Sequence, residues 1–302
     1  MNPTLLDRYK GALIGLACGD AVGTTVEFSP RGSFKSVTDM VGGGPFGLRP
    51  GQWTDDTSMA LCLAESLLSK GAFDPIDQMA RYLNWWKWGY LSSTGHCFDI
   101  GMTVQSALAK FQVSGDPFSG STNPNSAGNG SLMRLVPIVM FAYSDTQAVI
   151  YNAADSSRTT HGAPEAIESC QLFAAILHGA FSSKAKEQLL DQDIFIPLEP
   201  KLVEISKGHF VAKFDSQIRG TGYCVDALEA ALWCFFNTDT FEQAVLRAVN
   251  LGDDADTTGA IVGQIAGAFY GIDAIPQNWI NQLAMRKDIE MMACKLYERF
   301  AC

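Results

Sequence analysis

Asp253, Asp254 and Asp256 fall within four residues in the stretch NLGDDADTTGAI (250–261), directly ahead of an apolar, glycine-threaded segment. At about 5 Å and an effective dielectric near 20, each pair of like charges costs roughly 3 kcal/mol. A helix N-cap uses only one of them and returns about 1 kcal/mol, with up to about 1 kcal/mol more from the helix dipole. A positive partner is therefore expected. A second stretch, WTDDTSMAL (53–61), has the same form, with Thr54, Asp55 and Asp56 ahead of an apolar segment. Either cluster alone also reads as an ordinary capped helix start whose neighbours face water. Together they offer the all-oxygen ligands that hard divalent cations take. Facing one another, they could hold two such ions about 3.5–4 Å apart.

Other polar clusters sit at similar places. Glu27, in GDAVGTTVEF (19–28), is an acid in apolar surroundings. Beside a metal it would be a general acid/base or a water-positioning group; without one it reads as a salt-bridged or exposed loop glutamate. Glycines 15, 19 and 23 permit close packing or tight turns. SAGNGSLMR (126–134) places Asn129, Gly130 and Ser131 at an expected helix start, where free amides could meet an anion. No G-K-[ST] follows, so it is not a Walker loop. His161 lies in SSRTTHGAPEA (156–166), and no His/Cys metal spacing accompanies it, which argues against a zinc enzyme. Tyr223, in GTGYCVDALEAALW (220–233), could stack on a base or sugar or pack into the core. STGHCFDIGMTVQSAL (93–108) adds Asp99, Gly101 and Thr103. Arg134 and Arg158 are the two permanent cations in these stretches. If the turns converge on one cleft, acids, amides and hydroxyls would suit metal-assisted binding of a polyhydroxyl, phosphate-containing ligand.

The elements that must position them read as helices. Apolar residues recur at three- and four-residue spacing over roughly 4–18, 57–70, 75–88, 102–112, 132–143, 146–156, 164–181, 222–236, 240–250, 257–270, 276–285 and 288–300. HFVAKF (209–214) is the one modest alternating pattern. The expected fold is all-α. Two long Gly/Pro/Ser-rich loops, 41–52 and 114–130, each end at a polar cluster, which favours function over disorder. The more charged region 182–221 reads as an excursion within one domain spanning 1–302.

Hydrophobic residues make up 47% of the 302 and charged residues 18%, enough for a substantial core. The net charge of −10, with no basic run, argues against a sequence-independent grip on nucleic acid. The eight cysteines are scattered without a C-x-x-C pair. With neither a signal-peptide pattern nor an apolar run of membrane-spanning length, a reduced, cytoplasmic setting without a membrane partner is expected.

GDAVGTTVEF, WTDDTSMAL, GNGSLMR, THG and LGDDADTTGAIVGQIAGAFYG follow the order and approximate spacing of the ADP-ribosylglycohydrolase family, which the chain resembles from about residue 6 to 300. That family contains the dinitrogenase reductase-activating glycohydrolase, arginine- and serine-specific ADP-ribosyl hydrolases, and crystallins. The resemblance implies a compact, orthogonal multi-helix bundle with a dinuclear Mg²⁺ or Mn²⁺ centre at the base of a cleft. It implies Thr54, Asp55, Asp56, Asp254, Asp256 and Thr257 as metal ligands. Asp253, where the family commonly has glycine, is expected beside the ligands or facing solvent. Asp55, Asp56 or Glu27 would be the catalytic acid or base. Asp99, Gly101, Asn129, Gly130, Ser131, His161 and Tyr223 would bind substrate, with Tyr223 at adenine. The implied activity is hydrolysis of mono-ADP-ribose from protein side chains, arginine above all, releasing ADP-ribose. Serine-linked ADP-ribose, O-acetyl-ADP-ribose, ADP-ribosylated nucleic acid and a catalytically silent binder are the alternatives.

Overall fold

A ladder of glycines organises the chain. In the computed structural model, which describes residues 2–191 and 193–301, the first helix, α1 (Leu5–Gly23), lies antiparallel against α11 (Ala255–Tyr270). Gly11, Gly15 and Gly19 meet Gly267, Gly263 and Gly259 in turn. A Cβ on Gly19 would stand 1.9 Å from the Gly259 carbonyl oxygen, and one on Gly15 would stand 2.4 Å from that of Gly263. Backbones this close leave no room for any side chain, and dispersion contact along the seam replaces side-chain interdigitation. The seam brings the end of α1 beside the start of α11, setting Asp20 near Asp256.

Between these two run α2 (Asp55–Lys70), α3 (Pro75–Trp88), α4 (Met102–Ser114), α5 (Val136–Ala142), α6 (Thr146–Arg158), α7 (Pro164–Phe181), α8 (Pro200–Ser206), α9 (Cys224–Phe236) and α10 (Phe241–Val249); α12 (Gln277–Gln282) and α13 (Arg286–Phe300) follow. Among the described residues there are isolated bridges but no strand. The all-α expectation holds. Local chemistry explains many boundaries. Thr4 and Asp7 form a reciprocal capping box on α1. Asp74 caps α3 ahead of Pro75, and Gly89 ends that helix in the left-handed conformation. Trp53, Trp85, Trp233 and Trp279 are buried in one apolar core. No helix among the described residues is long and apolar enough to cross a membrane.

Three expectations are corrected. HFVAKF is not extended: His209–Ala212 is a turn of 3-10 helix, with Phe210 buried in the core. The region 182–221 holds an unforeseen helix, α8, packed against α7 and α9. The helix expected from 132 begins only at Val136, so residues 131–134 form turns and Asn129–Ser131 is not a helix N-terminus.

Candidate active site and metal centre

The glycine seam and the start of α2 gather seven carboxylates: Asp20, Glu27, Asp55, Asp56, Asp99, Asp254 and Asp256. Oxygens of Asp20, Asp56 and Asp256 all lie within 4.8 Å of one another, and so do oxygens of Glu27, Asp99 and Asp256. Thr54 stands at the centre of the first group. Its Oγ1 is 3.0 Å from Asp20 Oδ1, 3.1 Å from Asp56 Oδ2 and 3.1 Å from Asp256 Oδ2. One hydroxyl proton can serve only one of these three acceptors. Asn129 Nδ2 donates to Asp254 Oδ2 at 2.8 Å, and Thr257 Oγ1 stands 3.5 Å from Asp56 Oδ2.

None of the ion pairs among the described residues involves these acids. Of the two cations in those stretches, Arg158 pairs with Asp155, and Arg134 is fully buried and used elsewhere. Its guanidinium donates to Gly130 O (3.0 Å), Ser156 O (3.2 Å) and Thr160 Oγ1 (2.7 Å), and lies 4.7 Å from the Tyr82 ring centroid. Burial first, then mutual repulsion, pushes the carboxyls of Asp55, Asp56 and Asp256 well above their ordinary range. Burial and the neighbouring Asp99 raise Glu27 in the same way. Asp20 rises less, to about 6, because hydrogen bonds from Thr54 and Thr57 offset its burial.

Asp56 Oδ1, Asp256 Oδ1 and Glu27 Oε2 are buried and accept no hydrogen bond among the described residues. Leaving such an oxygen unpartnered costs about 1–3 kcal/mol, and more if it is charged. An oxygen-only donor set with unpartnered carboxylate atoms fits a hard divalent cation. A metal ion would neutralise the repulsion and return these groups to the ionised form.

The acids open into a cleft of about 750 Å³, lined by Glu27, Asp55, Asp99, Gly101, Asn129, Gly130, His161, Asp254, Asp256 and Thr257. Thr54 and Asp56 are fully buried and do not line it. Asp99 adopts a left-handed backbone (φ 59°) just before Gly101, the N-cap of α4. His161 packs against two glycines: a Cβ on Gly130 would stand 2.8 Å from its Cε1, and one on Gly128 would stand 3.2 Å from its Nε2. Its Nδ1 pairs with Thr160 Oγ1 at 2.8 Å.

An adjoining recess of about 460 Å³ shares Thr103, Gly128 and Gly222 with the cleft and carries Tyr223. The Tyr223 hydroxyl donates to Glu165 Oε2 (2.5 Å) and accepts from Lys201 Nζ (2.8 Å), which lies 4.7 Å from the ring centroid. Tyr223 is thus a wall of the recess and not a core residue. Ser131 is in neither space. It is buried, with its hydroxyl 2.9 Å from Ser157 Oγ and accepting from Cys170 Sγ. Asp253 is half-buried and ties two segments together, its N–H donating to Ser29 O (2.8 Å) and its carbonyl accepting from Phe28 N (2.7 Å). Two features escaped sequence reasoning. One is Asp20, whose only signal is an acid inside an apolar helix. The other is a pair of exposed rings, Phe28 and Phe46, on the cleft wall.

The family model described as ADP-ribosylglycohydrolase matches residues 1–302. The chain is 45% identical over 294 residues to the ADP-ribosylarginine hydrolase Tri1 of Pseudomonas putida, covering 97% of this chain and 79% of that protein. It is 31% identical to the ADP-ribosyl-[dinitrogen reductase] glycohydrolase of Rhodospirillum rubrum, covering 96% and 95%. A solved structure titled ADP-ribosylglycohydrolase-related protein complex superposes with a TM-score of 0.88 and 44% identity over 98% of both chains.

Proposed function

Since the chain belongs to the ADP-ribosylglycohydrolase family, we propose that it is a metal-dependent hydrolase that releases ADP-ribose from modified arginine side chains. The observation that carries this reading is the group of buried carboxylates with unpartnered oxygens at the base of an open cleft. The names of its relatives support the arginine linkage. Thr54, Asp55, Asp56, Asp254, Asp256 and Thr257 would hold two Mg²⁺ or Mn²⁺ ions. When bound, such ions supply positive charge that can hold vicinal ribose hydroxyls and fix the reacting carbon.

The chain's own groups supply the rest. Hydrolysis breaks the bond from C1″ to the guanidino nitrogen and forms one from C1″ to a water oxygen. One water proton ends on the departing nitrogen. Asp55 and Glu27 face the cleft whereas Asp56 does not, so Asp55 and Glu27 are assigned to proton handling and Asp56 to metal binding. Positive charge develops on the ribose in the transition state, and surrounding carboxylates stabilise it. Asp99, Gly101, Asn129 and His161 would form the ribose and diphosphate walls, and the Tyr223 recess would take the adenosine end. The test is ADP-ribose release from arginine-ADP-ribosylated protein with Mg²⁺ or Mn²⁺, repeated with EDTA and with Asp254→Ala and Asp256→Ala. Metal-dependent release that both variants lose supports the reading. Release from a serine-linked substrate alone moves the activity to that linkage, and tight ADP-ribose binding without turnover marks a silent binder.

A further inference from the structure

Phe28 is 65% exposed and Phe46 37% exposed, yet both line the cleft beside Glu27, Asp55 and Asp99. The rings form a chain with Phe98: Phe28 and Phe46 have centroids 6.4 Å apart at 75°, and Phe46 and Phe98 have centroids 5.2 Å apart at 59°. Phe28 reaches this position through an unusual backbone. Its φ is 61°, in the left-handed region that bulky residues avoid. The paired hydrogen bonds to Asp253 hold it there, from Phe28 N to Asp253 O and from Asp253 N to Ser29 O. Phe46 comes from a separate tight turn closed by Gly43 and Leu48. The segment that leads into α11 thus fixes one ring and an independent loop supplies the other. Strained backbone that presents a ring to solvent at a cleft mouth points to a ligand for that ring.

The surroundings specify the ligand. Below the rings, Glu27 is 4% exposed with an unpartnered oxygen, and Asp99 shares its oxygen cluster. One wall of the opening is therefore aromatic, and the adjoining floor is anionic. A guanidinium matches both. It is planar, permanently cationic and weakly hydrated, so it stacks on aromatic faces while it pairs with carboxylates. A hydroxyl leaving group could hydrogen-bond to a carboxylate but would gain neither the stacking nor the charge pairing.

We infer that Phe28 and Phe46 form the subsite for the guanidinium leaving group, held against their ring faces above Glu27 and Asp99. The inference rests on the arginine-linked reading and gives it a structural basis for selectivity. The guanidinium leaves this subsite together with the peptide, so ADP-ribose alone does not touch the rings.

The experiment uses the metal-loaded protein and a small substrate, ADP-ribosyl-agmatine, with Phe28→Leu and Phe46→Leu, which keep apolar bulk but remove the π face, and Phe28→Tyr, which restores it. Each leucine variant should lower kcat/KM about 2- to 30-fold, the equivalent of about 0.5–2 kcal/mol per cation–π contact. The Kd of ADP-ribose should stay within about twofold, and Phe28→Tyr should recover most of the loss. Unchanged kcat/KM in both leucine variants would overturn the subsite. So would an equal loss of ADP-ribose affinity, which would assign the rings to the ribose or to the shape of the loop. If the wild-type protein fails to hydrolyse ADP-ribosyl-agmatine, the arginine reading falls, and the Kd of the uncleaved compound is compared instead. Leucine variants that weaken its binding but not that of ADP-ribose uphold the guanidinium subsite, and variants that weaken neither overturn it.

Discussion

Asp20 caps, from another helix, the turn that begins with Thr54. Its Oδ1 accepts from Thr54 N (2.8 Å) and Thr54 Oγ1 (3.0 Å), and its Oδ2 accepts from Thr57 N (3.0 Å) and Thr57 Oγ1 (2.6 Å). Thr54 stands at the N-cap of α2 but makes no capping bond of its own. Once its proton points to Asp20, its lone pairs are free to face Asp56 and Asp256, where a metal ligand needs them.

Asp20→Asn should therefore injure the metal site without removing a ligand. An amide offers one acceptor oxygen where four donors converge, and its NH₂ faces donors. At least one buried donor loses its partner, at a cost of about 1–3 kcal/mol. The melting temperature should fall and Mn²⁺ affinity, read by electron paramagnetic resonance, should weaken at least about tenfold, within the range for changes to groups that orient metal ligands. Asp253→Asn is the comparison. It keeps a residue that tolerates the left-handed backbone at φ 55°, and its Mn²⁺ affinity should stay close to wild type. Equal affinities for the Asp20 variant and wild type would refute the positioning role.

The glycine seam makes a sharper structural claim. Gly19→Ala puts a methyl group 1.9 Å from the Gly259 carbonyl oxygen, backbone against backbone, where no rotamer can relieve it. Overpacking typically costs about 1–3 kcal/mol, and separation of α1 from α11 should push this case to the top of that range or prevent folding. Gly101→Ala meets nothing within 4 Å at an ordinary φ of −64°, so its urea midpoint should match wild type. A Gly19→Ala protein of wild-type stability would mean that the two helices do not approach as described.

Much of this was legible from pattern. The apolar periodicity located most of the helices because each needs a buried stripe, and the paired T-D-D and D-x-D-T clusters marked both helix starts that meet at the site. What escaped depends on contacts between distant segments. The Asp20 oxygens matter because of Thr54, thirty-four residues away in sequence, and its one local signal, an acid inside an apolar helix, does not name that partner. Phe28 is exposed only because Asp253 holds it in a conformation that no phenylalanine announces. Asn129–Ser131 looked like a helix start, but Gly128 and Gly130 are small to make room for the His161 ring, and the helix waits until Val136.

Metal removal should reveal the repulsion within the acid cluster. A cation that binds only the folded state at about 100 times its Kd stabilises it by about 2.7 kcal/mol, so Mg²⁺ should raise the melting temperature and EDTA should reverse the rise. Asp256→Asn removes a carboxylate that belongs to both oxygen groups. It should melt above wild type in EDTA, where the cost of burying and protonating that carboxylate is gone, and below wild type in Mg²⁺, where a ligand is gone. Melting curves that keep the same order in both buffers would contradict a site built from mutually repelling carboxylates.

His161 gives the pH prediction. Burial, with the charge of Arg134 nearby, pushes its pKa down to about 3 from an ordinary 6.5. The folded state therefore keeps the ring neutral where the unfolded chain takes up a proton. Below pH 6.5 the unfolded state binds more protons, so this residue's contribution is full above 6.5 and is lost as pH falls toward 3. The slope approaches about 1.4 kcal/mol per pH unit once the unfolded ring is protonated. Two measurements check it. The Cε1 proton resonance of His161 should not titrate between pH 8 and 4.5. The difference in urea stability between pH 7.5 and 5 should also shrink in His161→Gln, which keeps a neutral hydrogen-bonding group beside Thr160. A His161 resonance that titrates near pH 6.5 would mean that the ring reaches solvent, and that Gly128 and Gly130 are not the surface against which it packs.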